Sequence, residues 1–397
     1  MRKDKLSELF YFLPKSKFKA GDGLQKGKYP FYTSSEIQSK YLDKFQHESE
    51  CLVFGTGGKA NVHFTTSRFA TSADCITISP KPKANIDARY VFQFFKGNMQ
   101  VLENGFKGAG LKHISKAYLS DIQIPVLEEI NDQKRIAHLL GKTEGLIARR
   151  KQHLQQLDDL LKSVFLEMFG PAASDFANWP VVEIKDLTAK QKGSMRTGPF
   201  GSNLLHSEFS SEGDVAVLGI DNAVQNCFAW GERRFISFDK YRELESYRIS
   251  PEDVIITIMG TTGRSAVIPD NIPLAINTKH LAAITLNRKI ANPVFLSYSI
   301  HSNPFIVNQF RNKNRGAIMS GLNLGIIKEV KLKRPPIDLQ NQFAAIVEKV
   351  ESIKSRYKQS LADLETLYGA LSQKAFKGEL DLSRVPLPDE DAVTCPH

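Results

Sequence analysis

This 397-residue chain lacks the marks of several protein classes. No apolar run approaches the roughly 20 residues of a membrane span, so a membrane partner is not expected. The amino-terminal MRKDKLSELF has neither the apolar core nor the small-residue cleavage site of a signal peptide. Only four cysteines are present, Cys51, Cys75, Cys227 and Cys395, and no two form a CxxC pair. That spacing excludes a disulfide scaffold and a thiolate zinc site, and it fits a reducing, cytoplasmic setting. The nine histidines show no metal-ligand spacing.

Catalytic signatures are missing too. Gly55-Thr56-Gly57-Gly58-Lys59 lacks the GxxxxGK[ST] spacing of a phosphate loop and reads as a hairpin turn. Phe54-Gly55-Thr56-Gly57 is similar to the glycine motif of adenine methyltransferases. The nearest match to their Asn-Pro-Pro-Phe motif is Asn303-Pro304-Phe305, one proline short, which argues against methyl transfer by this chain. No carboxylate-plus-lysine nuclease cluster stands out.

What the chain does have is a long stretch that occurs twice. Residues 133–169 and 340–376 align without a gap at a shift of 207 positions. Gln133, Ala137, Lys142, Glu144, Arg149, Lys151, Gln152, Leu154, Leu157, Leu160 and Phe169 fall on identical residues. Both copies carry a heptad stripe. It runs through Ile136, Leu140, Thr143, Ile147, Arg150, Leu154, Leu157, Leu161, Val164 and Met168 in the first copy. In the second it runs through Phe343, Val347, Val350, Lys354, Tyr357, Leu361, Leu364, Tyr368, Leu371 and Ala375. No proline interrupts either copy, and Gly170-Pro171 closes the first. Each segment predicts a helix about 55 Å long. The stripe of one copy is the natural cover for the other, and partner helices can use such a stripe as well.

Strand-rich sequence precedes each helix. In 1–130 a short helix is expected over Lys5–Phe12, then strands at Cys51–Phe54, Val62–Phe64 and Ala73–Ile78, and a helix over 87–99. Basic, aromatic and glycine-punctuated loops lie at 15–35, 55–59 and 105–114. Residues 171–338 repeat the plan. Thr197–Asn203 is a glycine loop, Asp253–Ile258 a strand turning at Met259–Arg264, Leu281–Leu286 a strand and Pro293–His301 a helix. The chain therefore divides into a globule (1–130), a helix (131–170), a globule (171–338), a helix (339–378) and a loose acidic tail (379–397). The fold class is α+β: two mixed α/β globules separated by two long antiparallel coiled-coil helices in pseudo-twofold arrangement.

Net charge is +10, with 53 Lys and Arg against 43 Asp and Glu, which suits a polyanion. Similar basic loops recur at matching places in both globules. Lys and Arg neutralise phosphates, whereas Asn, Arg and Ser also read base edges. Candidate DNA contacts in the first globule are Lys15, Lys17, Lys19, Lys28, Tyr32, Ser34, Ser35, Lys59, Lys107, Lys112 and His113. In the second they are Arg196, Ser202, Asn203, Thr261, Thr262, Arg264, Lys279, His280, Arg311, Lys313, Asn314, Arg315, Ser320 and Asn323. Helix-pair or partner contacts are Ile136, Leu140, Ile147, Leu154, Leu157, Leu161, Phe343, Val347, Val350, Leu361, Leu364 and Leu371. Two globules held by a helix pair suit two half-sites about 34 Å apart, one turn of duplex. Unlike globules imply unlike half-sites. The competing reading is a coiled-coil scaffold with an incidental basic surface, which would show no target preference, whereas sequence-specific DNA binding should weaken steeply as salt rises.

The ordered double set resembles the specificity subunit of type I restriction-modification enzymes over nearly the whole chain. The resemblance rests on Lys28–Ser35, Thr197–Asn203, Asp253–Arg264, Gly321-Leu322-Asn323, Arg334-Pro335-Pro336 with Gln340 and Gln342-Phe343, and Ile124-Pro125 with Gln133–Ile136. The first globule is shorter than in the second copy, and Ile130-Asn131-Asp132 are extra residues before the first helix. The resemblance implies that the globules are target-recognition domains for double-stranded DNA, and that the chain is non-catalytic and binds no cofactor. It implies docking of two modification subunits that methylate adenine with S-adenosylmethionine, and of restriction subunits driven by ATP and magnesium, in a prokaryotic cytoplasm.

Overall fold

The computed structural model describes residues 1–108, 110, 112–313 and 321–388. Two long helices, Ile130–Phe169 and Ile337–Lys377, have 40 and 41 residues. Pro171, which cannot continue a helix, lies just past the first. Every position of both heptad stripes is buried or half-buried, and most residues between them are exposed. The chain forms two units: Met1–His153 with Tyr357–His397, and Leu154–Arg356. Each long helix therefore contributes one half to each unit.

In the first unit, Arg2–Lys5 pairs antiparallel with Gln123–Val126. An antiparallel sheet runs in the order Phe10–Phe12, Cys75–Pro80, Cys51–Gly55, Val62–Thr65. A smaller sheet sets Tyr29–Tyr32 between Lys40–Leu42 and the parallel strand Ala70–Thr71. The helix Ala88–Gly97, capped by the Asp87 carboxylate, covers the main sheet. Its inner face joins Leu52, Phe54, Tyr90 and Phe95 to Ile136, Leu140 and Ala375 of the long helices in one apolar core. Phe54 and Phe95 meet edge to face at 5.1 Å. Midway along the helix pair, Lys151 pairs with Glu365 at 2.8 Å, and the Arg150 guanidinium lies 4.3 Å over the Tyr357 ring.

The second unit repeats this topology. Val181–Glu183 pairs with Lys331–Lys333. The main sheet runs Met195–Thr197, Leu281–Ile284, Val254–Thr257, Ser265–Val267. Val215–Leu218 lies beside Phe235–Ile236 and the parallel strand Ala275–Asn277, and Arg248–Ile249 extends that sheet. Phe165, Phe169, Phe295 and Phe343 centre the core, with Phe169 4.9 Å from Phe295 and 5.5 Å from Phe343. Lys354, a polar residue on the stripe, pairs with Asp158 at 2.7 Å and Glu351 at 2.6 Å.

A duplicated glutamine ties each globule to its long helix. Fully buried Gln133 accepts from the Asp87 backbone N–H (2.9 Å) and donates to the carbonyls of Asn85 (3.1 Å) and Leu127 (2.8 Å). Gln340 does the same with the Asn292 N–H (2.9 Å) and the carbonyls of Ile290 (3.2 Å) and Pro335 (2.9 Å).

Two expectations change. Lys5–Phe12 is not one helix: only Leu6–Leu9 turns, and Phe10–Phe12 is a strand on Ile78–Pro80. The alternation of Phe10, Tyr11 and Phe12 is read with period two, because a sheet edge is there to receive it. The tail is not wholly loose either, since Leu380 and Leu382 pack on the first unit's core. Cys395 lies outside the described residues.

His301 sits behind the second sheet, its Nδ1 3.0 Å from the Ser265 hydroxyl. Burial, with the positive charges of Arg264 and Lys162, pushes its pKa down from 6.5 to about 4. Between those values the unfolded chain takes up a proton that the folded chain refuses, so stability falls as pH drops through that window. The full loss is about 3 kcal/mol. Urea midpoints measured from pH 7 to 4.5 should fall, and His301→Gln should flatten that fall; an unchanged slope in the variant would assign it to other groups.

Candidate nucleic-acid interface

In the first globule, backbone pairing and short polar side chains gather loops that are far apart in sequence. The Ser34 hydroxyl donates to the Asp74 carbonyl (2.6 Å) and accepts from the Thr56 N–H (3.1 Å). Asn61 donates to the Ser34 carbonyl (3.0 Å), and His63 Nε2 lies 2.9 Å from the Ser35 carbonyl. The Thr56 carbonyl accepts from the Ile114 N–H (3.1 Å), with His113 Nδ1 also 3.1 Å away. Lys107 and His113 close their loop by mutual backbone bonds. The 33–35 and 55–59 motifs and the described residues 105–108 and 112–114 thus form one surface. It borders a cleft of about 660 Å³ lined by Glu36, Lys59, Asn61, Lys96, Glu103 and Lys112 among others. Lys59, Lys107, Lys112 and His113 are exposed there, with Lys59 3.6 Å from Glu36.

Some first-globule candidates have other work. Tyr32 is buried against Phe69 and His63, and burial raises its phenol pKa, so it belongs to the core. Ser34 spends its hydroxyl on the backbone bonds just described. Ser35, Lys15, Lys17, Lys19 and Lys28 are exposed, but none lines the cleft.

The second globule builds the matching surface from different side chains. The Ile258 carbonyl accepts from the Leu322 N–H (2.8 Å), just as the Thr56 carbonyl accepts from Ile114 in the first globule. The Ile258 N–H donates to the His280 carbonyl (2.9 Å), which joins the 258–264 turn to Lys279-His280. Thr257 Oγ1 accepts from the Arg264 N–H (2.9 Å) and shapes that turn. A cleft of about 550 Å³ opens beside it, with Pro199, Gly201, Leu204, Phe209 and Ile220 as apolar lining and His206, Asp221, Arg234, Lys279 and His280 as polar lining. Burial lowers the His280 pKa, as do the charges of Lys279, His206 and Arg234, so its ring is neutral near pH 7. Thr261, Arg264, Lys279, Ser202 and Asn203 are exposed, and Thr262 is half-buried.

Arg196 is a correction. Its guanidinium donates to the carbonyls of Arg248 and Gly193, to the Thr285 hydroxyl and to the Asp253 carboxylate. All its N–H donors face inward, so it holds the sheet together and is not free to contact DNA. Asn323 caps the helix Leu324–Lys328 through the Ile326 N–H (2.8 Å), as Ser115 caps Lys116–Asp121. Arg311 and Lys313 are exposed on the helix Pro304–Lys313, and Lys313 pairs with Glu329 at 2.8 Å. Asn314, Arg315 and Ser320 lie outside the described residues. His206, Asp221 and Arg234 were not selected from the sequence. His206 follows the Thr197–Asn203 loop by three residues, whereas Asp221 and Arg234 lie outside any glycine motif and reach the cleft through long-range strand pairing.

On the long helices, Ile136, Leu140, Leu161, Phe343, Val347 and Val350 are buried inside their own units, and Ile147, Leu154, Leu157, Leu361, Leu364 and Leu371 are half-buried. The large apolar residues that face outward are Leu146, Leu160, Leu166, Ile353 and Leu367. Leu146 and Ile353 are equivalent under the 207-residue repeat, and so are Leu160 and Leu367. Among the described residues, no group of three or more His, Cys, Asp or Glu side chains is placed to hold a metal, and no helix is long and apolar enough to cross a membrane.

Comparison with known proteins bears on these surfaces. The family model of the type I restriction modification DNA specificity domain matches residues 2–158 and 177–366. The type I restriction enzyme MjaVIII specificity subunit of Methanocaldococcus jannaschii is 20% identical over 358 residues, covering 83% of this chain and 80% of the relative. The EcoBI specificity subunit of Escherichia coli is 20% identical over 382 residues, covering 89% and 78%. A crystal structure of the type I restriction-modification S subunit from M. genitalium superposes with a TM-score of 0.63 at 17% identity, covering 94% of this chain and 96% of that one. A second chain, solved in work on complex assembly and conformational transition of the type I R-M system, gives 0.54 at 15% identity, covering 96% and 98%.

Proposed function

The chain belongs to the type I restriction-modification DNA specificity family and is a specificity subunit, and we propose that it reads a split, asymmetric DNA target with one globule on each half-site. The doubled loop surface carries this reading. Topologically equivalent turns present Lys59 in one globule but Thr261 and Arg264 in the other, and neighbouring loops add Lys107, Lys112 and His113 to the first surface and Lys279 and His280 to the second. Equal placement suits two equivalent stretches of duplex, and unequal side chains suit two different sequences.

The long helices serve as spacer and as docking surface. The outward pairs Leu146/Leu160 and Ile353/Leu367 offer the same apolar spacing twice, which fits two copies of one helical partner, the modification subunit. Methylation of adenine with S-adenosylmethionine, and ATP- and magnesium-dependent cleavage, belong to the modification and restriction subunits. This chain supplies recognition without catalysis, in a prokaryotic cytoplasm.

Co-expression with the neighbouring modification subunit and genome-wide mapping of methylated adenine tests this. A single split, asymmetric motif that disappears without this chain is expected; methylation indifferent to its removal would refute it. The spacer role gives a second expected result. Deleting the equivalent heptads 147–153 and 354–360 together shortens the pair by about 10 Å. The gap in the motif should shrink by about three base pairs, at roughly 3.4 Å each. An unchanged gap would rule out the ruler.

A further inference from the structure

We infer that the second globule unstacks its half-site by inserting the Phe200 ring at a base-pair step, a reading that rests on the DNA recognition proposed above. Phe200 lies in the glycine loop that follows the edge strand Met195–Thr197. Gly198 is buried, and a Cβ there would come within 2.1–2.5 Å of the Asn277 and Thr278 backbone. Only glycine lets the loop sit flush on that strand end. Buried Pro199 fixes the next backbone angle, and Gly201 takes a left-handed φ of +63°. The root is rigid, and the residue between is turned outward.

Phe200 is 52% exposed and joins none of the apolar clusters. Single exposed apolar residues are ordinary; the surroundings identify the partner. Its neighbours Pro199 and Gly201 line the cleft that also holds His206, Arg234, Lys279 and His280. Exposed Ser202 and Asn203 follow directly. A phosphate backbone drawn to Lys279 and Arg234 lies alongside the ring, and an apolar ring on such a surface is the usual wedge for parting stacked bases. In the first globule the loop after Phe10–Phe12 carries Lys15, Lys17 and Lys19, and its Phe18 is folded in, 6.4 Å edge-on to Phe31. That loop offers no exposed aromatic ring, so this wedge acts at one half-site.

The full chain, assembled with its modification subunits, is titrated with target duplexes carrying 2-aminopurine at successive positions outside the methylated adenines. Fluorescence should rise at one step in one half-site. Phe200→Ala should abolish that rise and weaken binding roughly tenfold, whereas Phe200→Trp should keep the affinity. A mismatch at the step should tighten wild-type binding and leave Phe200→Ala unaffected, because the unstacking is already done. Equal affinity and fluorescence for wild type and Phe200→Ala, with superimposable melting curves, would overturn the wedge and leave target recognition standing. A wild type with no preference for any split sequence would overturn both.

Discussion

Gln340→Leu should destabilise the second unit by about 3–4 kcal/mol, and Gln133→Leu should do the same to the first. Leucine is similar in size, so little space opens. What changes is the fate of three backbone groups. The Asn292 N–H and the Ile290 and Pro335 carbonyls all turn to the Gln340 amide, which is fully buried. Each such group left without a partner costs about 1–3 kcal/mol, and relaxation recovers part of that. Gln133 stands in the same relation to Asp87, Asn85 and Leu127. Urea denaturation of both variants is the measurement. Losses below 1 kcal/mol would mean that the backbone finds other partners; a large loss in one unit alone would mean that the two ties are not equivalent.

Asp253→Ala should cost the second unit about 3–5 kcal/mol. The Asp253 side chain is 1% exposed and its Arg196 partner 12%. Besides Arg196, the carboxylate accepts from the Thr285 hydroxyl (2.6 Å) and the Ser250 N–H (2.9 Å). Removing it strands a guanidinium that has little water to turn to. Replacing both residues with apolar ones, Arg196→Met with Asp253→Leu, should recover most of the loss, since no uncompensated charge remains. A double-mutant cycle in urea decides it. Additive losses would show that the pair is not a unit. Arg196 directly precedes the loop that carries Phe200, so the single variant should also loosen target binding.

The helices were legible because their signal is local. The stripe repeats within each turn, and the 207-residue shift shows the same stripe twice. The order of strands and glycine turns was legible for a related reason, since each globule can be checked against the other. The roles of particular polar residues were not legible. Arg196 looked free to contact DNA because it neighbours a glycine loop, yet its partners other than Gly193 lie 52 to 89 positions away. Arg234 came to the cleft by the reverse route: nothing nearby in sequence marks it, and the pairing of Val215–Leu218 with Phe235–Ile236 delivers it. Gln133 and Gln340 were visible as an identity between the copies, but the purpose of the identity lay in backbone groups that no side-chain pattern reports. The first twelve residues were misread because Phe10 and Phe12 suit either period until the partner strand at 75–80 is in place.

A chain made of two like halves carries a risk of mistaken kinship. Each long helix is a plausible mate for its own counterpart in another molecule, because the stripes are copies. The Arg150–Tyr357 contact bears on that choice. These positions are equivalent under the repeat and meet each other across the pair. Were the first helices of two molecules to pair in the same register, guanidinium would face guanidinium at the same spot, and like charges at that range repel. Divergence at one matched pair of positions therefore makes each helix prefer its sibling to its twin.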